Sequence, residues 1–503
     1  MANYITTDTE LTSVANAIRT KGGTSESLTY PAGFVAAIQN IPSGGGGGGA
    51  AKNDVTFYDY DGTIVSSYSA SEFASLAALP ANPSHEGLIS QGWNWSLADA
   101  KTHVAKYGKL NIGQMYVTQS GATEIDVEMQ EGRLEPILTI CVDGTITVDW
   151  GDNTTPDTVT GTSTTTRLAV PHTYASEGSY TISILATGNN KYQLSGSINY
   201  QLLRKNTTQN ENCIYSNTIK HIRIGNNAEI YNYAFVNCAS LLSITIPDSI
   251  TSIGDCAFNF CYSLSSVIIP DGVTSIATNT FNCCYSLSNI AIPNGVTSIA
   301  GNGFASCYSL SSIVIPNSTT SIGAYAFTSC YSLSSVVIPD NITSVGNYAF
   351  NNCYSLSSVT IPSVATSVWN SMFNNCYSLS SITIPDDVTS IKTSAFQNCY
   401  SLSGIIIPDG VTNIDSDAFY GCRSLSRVTI PYMVTRIGGS AFQNCYGIKE
   451  YHILPTAVPT GGTDMFKNIV SDCIIYVPKG HLNDYQTATN WSTYASYMQE
   501  EPD

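Results

Sequence analysis

The C-terminal half of this chain repeats itself at one interval, and that interval limits what it can fold into. Cysteine recurs at Cys238, Cys261, Cys284, Cys307, Cys330, Cys353, Cys376, Cys399, Cys422 and Cys445, with 23 residues from each to the next. Phenylalanine keeps the same step from Phe235 to Phe442, and proline keeps it from Pro247 to Pro431. A period this strict means one supersecondary unit stacked on copies of itself. A lone unit has no partner surface against which to bury its apolar residues, so the fold is a solenoid.

A single coil shows the unit. In FNFCYSLSSVIIPDGVTSIA, starting at Phe258, the segment Ser266 to Ile269 reads as a short β-branched strand. Pro270 ends that strand because it has no ladder donor to offer. Val273 and Ile276 make a second apolar pair, and Phe258, Cys261 and Leu264 turn the corner. Phe, Cys, Leu and the paired Val and Ile residues therefore point inward. With coils about 4.8 Å apart, ten of them make a body roughly 50 Å long. The pattern closely resembles the BspA-like (Treponema-type) leucine-rich repeat, whose unit reads AFxxCxxLxxIxIPxxVTSIG.

Stacked cysteines have equivalent neighbours above and below, so no pairing is preferred. The total of 15 is odd, which suits a full disulfide framework poorly. A spacing of 23 matches no zinc pattern. A structural ladder of small buried thiols is expected, with disulfides or a metal array as the alternatives. Tyrosine forms the second column: Tyr262, Tyr285, Tyr308, Tyr331, Tyr354, Tyr377, Tyr400 and Tyr446 follow eight of the ten cysteines, with Ala239 and Arg423 as exceptions. If cysteine points inward, its neighbour points outward or along the corner. Such a row of phenols either shields the coil edge by stacking on itself or contacts a ligand, and these eight tyrosines are the candidate binding residues.

Upstream of the array the chain divides into smaller pieces. Residues 1–43 read as a helical docking module, with Leu11, Val14, Ala15 and Ile18 at helical spacing. Its stretch ITTDTELTSVANAIRTKGG, continuing to Ile41, resembles a module found near the N-termini of tail-associated proteins of Firmicutes phages. A Gly-rich linker, 44–52, follows. Residues 53–125 open with DVTFYDYDGTIV, and Asp59 to Thr63 resembles the DxDGT loop of haloacid-dehalogenase-type phosphatases. That chemistry needs a downstream Lys and a paired-Asp magnesium site on a parallel sheet. The alternating pattern instead reads as a β-hairpin turning at Asp61-Gly62, inside a small α+β spacer domain.

Residues 126–200 read as all-β. Trp150, Gly151 and Asp152, followed by His172, Tyr174, Gly178 and Tyr180, resemble the motif of PKD-type immunoglobulin-like modules. The resemblance implies a β-sandwich. Asp149 and Asp152 lack a third carboxylate at calcium spacing, so turn hydrogen bonding is the expected role, with a calcium site left as the alternative. The solenoid then spans 201–453, and 454–503 resembles this repeat family's closing cap, with a strand at Ile474 to Val477 and a helix from about Asn483.

The expected fold is therefore multidomain and mainly β. A leucine-rich-repeat solenoid of about ten coils is preceded by an immunoglobulin-like β-sandwich and small α and α+β modules. The net charge of −17 disfavours nucleic acid and anionic membranes as partners. No Lys or Arg at all lies between Arg223 and Lys392. No window approaches a membrane span and no secretory signal is visible, so membrane insertion is not expected. The six histidines are scattered over different modules, and neither an enzyme nor a cofactor is expected. The resemblances together imply a phage tail fibre or receptor-binding protein located on the virion. Its repeats would contact a bacterial surface glycan or protein, and its N-terminal module would contact other tail proteins, with a homotrimer compatible. The alternative is a BspA-like bacterial cell-surface adhesin.

Overall fold

The computed structural model describes residues 54–194, 201–205 and 215–502. Every described residue belongs to one compact unit, Asp54–Asp503. The expected helical module and Gly-rich linker lie outside the described residues, as does Cys213.

From Ile219 onward the chain winds into a rod of about 12 turns, more than the ten that the ladder cysteines mark. The extra turns lack the ladder cysteine, although the one at Ile474–Val477 keeps Phe466 in the ring stack and Pro478 after its strand. One precedes the array at Ile219–Arg223, and others follow it at Ile474–Val477 and Met498–Glu500. Short parallel rungs pair in register, as in Ser312↔Ser335 and Ser335↔Ser358, so each column of the sequence becomes a column in space. The array slips by one residue at Glu450↔Ile474, where the cap begins. There the rod ends on a helix at Leu482–Thr487 and on Trp491, whose indole donates to the Pro459 carbonyl at 2.7 Å.

The interior is a stack of rings and thiols. Phe235 through Phe442 lie ring over ring, with centroids 5.2 Å apart for Phe235–Phe258 and 5.4 Å for Phe304–Phe327. Beside them each cysteine thiol from Cys261 to Cys445 donates to the carbonyl of the phenylalanine 26 residues earlier, for example Cys353 to Phe327 at 3.2 Å. The same Phe327 carbonyl accepts the Cys330 amide at 3.3 Å. Both of its lone pairs are thus used inside an otherwise apolar corner. Cysteine suits this column because it is small, apolar and still a weak donor. The fourteen described cysteines are all thiols, and the alternative of bridged sulfurs is not what this corner holds.

Each coil also needs two left-handed residues, four apart, to close its corner. Asn352, Asn375 and Asn398, each just before its cysteine, hold φ near 60°, a conformation asparagine tolerates better than most residues. Their amides form a second ladder, Asn375 to Asn352 at 2.7 Å and Asn398 to Asn375 at 2.8 Å.

Both open edges at the start of the rod are covered by the β module. Strand Thr123–Met129 pairs antiparallel with the rung Ile219–Arg223, and Lys191–Leu194 pairs parallel with Ala228–Ile230. Its long hairpin, Ile137–Asp149 against Asp157–Pro171, belongs to the same hydrogen-bonded set of strands. Unpaired edges recruit other strands, so this pairing protects the first coil.

Residues 54–118 form a four-stranded sheet with two helices, Ala70–Ser75 and Leu97–Tyr107. This layer lies on the strand face of the rod. Asn94 donates to the Ile269 and Ala291 carbonyls at 3.0 and 3.1 Å, and the Trp95 indole donates to Ile292 at 2.8 Å. Ile268 fills the space above Gly113, where a Cβ would come within 2.4 Å of its side chain. Ile268 is 4% exposed as a result, whereas Ile406, in the same column beyond the covered region, is 84% exposed.

Inside this layer His103 is 2% exposed, between Trp95 and Tyr107, and neither ring nitrogen makes a hydrogen bond. Burial pushes its pKa down to about 4 and outweighs the opposing effect of the Lys109 backbone. An unfolded histidine titrates near 6.5, so on acidification the unfolded chain takes up a proton before the folded one does. Stability is therefore expected to fall between pH 6.5 and 4, by about 3 kcal/mol, and to level off below. Denaturant melts at pH 7, 5.5 and 4 should show this loss, and His103→Phe should flatten it.

Candidate recognition surface

The tyrosine column follows from the corner geometry. Cysteine turns inward, so the next residue lies along the outer edge, and Tyr262 through Tyr400 stack there face to face. Centroids are 4.5 Å apart for Tyr285–Tyr308 and 4.8 Å for Tyr377–Tyr400, with rings within 10° of parallel throughout. Arg423, the exception in the sequence, continues the column: its guanidinium lies 4.5 Å from the Tyr400 ring centroid as a cation–π cap. Tyr446 stands apart from the stack, more exposed than the others, with its hydroxyl donating to Asn444 at 3.0 Å.

This geometry restricts what the column can do. Both faces of each inner ring are covered by neighbours, so no flat ligand stacks on them. Ring edges and hydroxyls are what remain for solvent or a partner. Burial raises the Tyr285, Tyr308 and Tyr377 hydroxyls above the ordinary phenol range, so they stay protonated donors at any physiological pH.

The ladder thiols are equally inert. Burial pushes Cys330 and Cys445 up to about 12, far from the thiolate needed for nucleophilic or metal chemistry. Among the described residues no group of three or more His, Cys, Asp or Glu is arranged to hold a metal ion.

The other two motifs resolve into turns. Asp59 ends the first strand, with one carboxylate oxygen accepting from the Tyr60 amide and the other 2.6 Å from His85 Nε2. Asp61 accepts from the Thr63 amide, and Gly62 sits at φ 88° in the hairpin turn. Both carboxylates of the phosphatase-like stretch are thus engaged in holding the loop. In the β module the motif residues gather into one cluster. Trp150 stacks on His172 at 4.6 Å, Asp152 lies 2.9 Å from His172 Nε2, and the Tyr174 hydroxyl donates to the Trp150 carbonyl at 3.0 Å. Asp149 and Asp152 accept from the Gly151 and Thr154 amides, as turn carboxylates do.

The family model described as "BspA type Leucine rich repeat region" matches in 6 copies, over residues 180–241, 228–357 and 320–449. These run together over more than half of the 503 residues. This chain belongs to the BspA-type leucine-rich-repeat family. Solved structures of this kind include a leucine rich cell surface protein from Faecalibacterium prausnitzii A2-165, 30% identical, with TM-score 0.32 over 46% of this chain and 79% of that one. A leucine rich repeat protein of T. pallidum is 28% identical, with TM-score 0.31 over 36% of this chain and 83% of that one. One from Bacteroides ovatus ATCC 8483 is 23% identical, with TM-score 0.36 over 56% and 95%. No curated protein matches the chain.

Sequence reasoning placed the BspA-type columns but missed two features. The Asn ladder was visible as NC dipeptides and went unread. The seating of the 54–118 layer on the rod had a weaker signal, the run Trp93-Asn94-Trp95, in which the Asn94 amide and the Trp95 indole find their acceptors on the rod.

Proposed function

We propose that this BspA-type repeat protein is a surface recognition protein of the adhesin kind, with the rod as its binding body. The observation that carries this reading is the rod's outer surface. It is regular, built from Ser, Thr and Tyr columns, and has no cationic side chain from 224 to 391. Such a surface suits a neutral glycan or protein patch and rejects nucleic acid. A similar protein is described as a cell surface protein, which fits a position outside the cell.

The tyrosine column takes part through its hydroxyl edge. Tyr308→Phe, Tyr331→Phe and Tyr354→Phe together keep the stack and remove three hydroxyls. Binding of the full chain to intact bacteria or host cells, read by flow cytometry, is expected to drop at least tenfold. Unchanged binding would remove the column from the contact surface and leave it as a shield of the coil edge.

A phage tail fibre is the second reading. It rests on the resemblance of the N-terminal stretch to tail-associated modules, with the PKD-type motif as the mark of a neighbouring adhesion unit. In that setting the rod contacts a bacterial host surface, the N-terminal module contacts other tail proteins, and a homotrimer is the natural assembly. Antibody to the rod labels intact particles if this is so, and labels only cells if the adhesin reading holds.

A further inference from the structure

The rod departs from its own consensus in its first full coil, and the departures line a cavity. Seven residues before the cysteine, six of the ten coils carry glycine or alanine, as at Gly254, Ala277, Ala300, Gly323 and Gly346, while Trp369, Lys392 and Asp415 hold larger side chains in later coils. At Gly254 the cause is crowding: a Cβ there would lie against the Asn232 backbone of the preceding coil. In the first coil Tyr231 occupies this position, its amide donating to the Leu194 carbonyl of the β module, and it is 50% exposed. Two residues earlier, Glu229 replaces the serine that recurs from Ser252 to Ser390.

The β module supplies the facing wall. Lys191–Leu194 pairs in parallel with Ala228–Ile230, which sets Lys191 and Gln193 beside Glu229. The next coil contributes a single bridge at Ile253, so the ladder opens here and leaves a half-open cavity of about 410 Å³. It is lined by Lys191, Gln193, Asn227, Glu229, Tyr231 and Thr251, among others.

We propose that this seam binds a neutral sugar residue of a glycan, with Tyr231 as the platform. No other aromatic ring stacks on Tyr231 among the described residues, in contrast to the tyrosine column, whose faces are used up. A half-exposed ring takes the C–H face of a pyranose, and Thr251, Asn227 and Gln193 meet its hydroxyls. Lys191 lies 3.8 Å from Glu229, and Gln193 donates to Glu229 at 2.8 Å. The two charges cancel, which favours an uncharged ligand over an anion or a cation. The volume falls within the roughly 300–1,000 Å³ usual for small-molecule sites. The site rests on and deepens the surface-recognition reading by naming a ligand class, and no tyrosine of the column lines it.

The test is titration of the full chain with a panel of neutral oligosaccharides built from glucose, galactose, mannose and N-acetylglucosamine. At least one is expected to bind. Tyr231→Ala should weaken it at least tenfold without moving the thermal midpoint, and Tyr231→Phe should stay within about threefold of the parent. Thr251→Trp, which fills the cavity from the opposite wall, should also abolish binding. Binding to no panel member, or equal binding by Tyr231→Ala, overturns the proposal. A chain that adheres to cells but binds no panel member loses this site and keeps the surface reading. One that binds sugar through Tyr231 but attaches to no cell does the reverse.

Discussion

Phe327→Ala is expected to destabilise the rod by about 3–5 kcal/mol, the range for removing a fully buried aromatic ring. Phe327 has no exposed surface and stacks between Phe304 and Phe350 at 5.4 and 5.2 Å. Collapse into the gap is opposed because each neighbour is held in its own coil by the parallel rungs Ser312–Val314, Ser335–Val337 and Ser358–Val359. A solenoid is stabilised mainly by contacts between adjacent coils, so one missing ring weakens two interfaces at once. Denaturant unfolding should then split, with the coils before and after the gap melting at different midpoints. A single transition displaced by less than 1 kcal/mol, about the effect of a mild substitution, would mean the ring stack is not the core.

Asn94→Ala is expected to release the 54–118 layer from the rod while leaving the rod folded. The Asn94 side chain is buried and makes three hydrogen bonds, accepting from the Gly113 amide at 2.8 Å and donating to Ile269 and Ala291. Alanine leaves these backbone groups short of partners in a dry interface, at about 1–3 kcal/mol for each buried group stranded. Hydrogen exchange should quicken at Ile269 and at Gly113, and Ile268, now uncovered as Ile406 already is, should become accessible. Exchange in the far coils, for example around Cys422, should not change. Exchange unchanged at all of these positions would show that the layer is held by something other than these bonds.

The periodic part of the fold was legible because a column in sequence becomes a column in space when every coil has the same length. Phe258, Cys261, Leu264 and Ile276 point inward as their spacing implies, and all are buried. The family resemblance read from those residues agrees with the family match. The length of the rod was less legible. The rungs at Ile219–Arg223 and Met498–Glu500 carry neither the cysteine nor the proline, and only their pairing makes them turns of the rod. Contacts between modules were the least legible. The bonds from Asn94 and Trp95 reach carbonyls 175 to 197 residues away, and a carbonyl leaves no mark in a sequence. For the tyrosine column, spacing alone left both a shield and a contact strip open. The parallel stacking limits any contact to edges and hydroxyls.

The account depends on a dry interior of reduced thiols, and counting reactive cysteines tests that most directly. With an Ellman-type reagent and no reductant, the native full chain should leave all ten ladder cysteines unreacted. Only Cys141, Cys213, Cys256, Cys283 and Cys473 lie outside the ladder and are open to question. In guanidinium all 15 should react. Rapid native reaction of more than those five, or fewer than 15 thiols after unfolding, would mean the sulfurs face water or are bridged, and the dry-ladder account would be wrong.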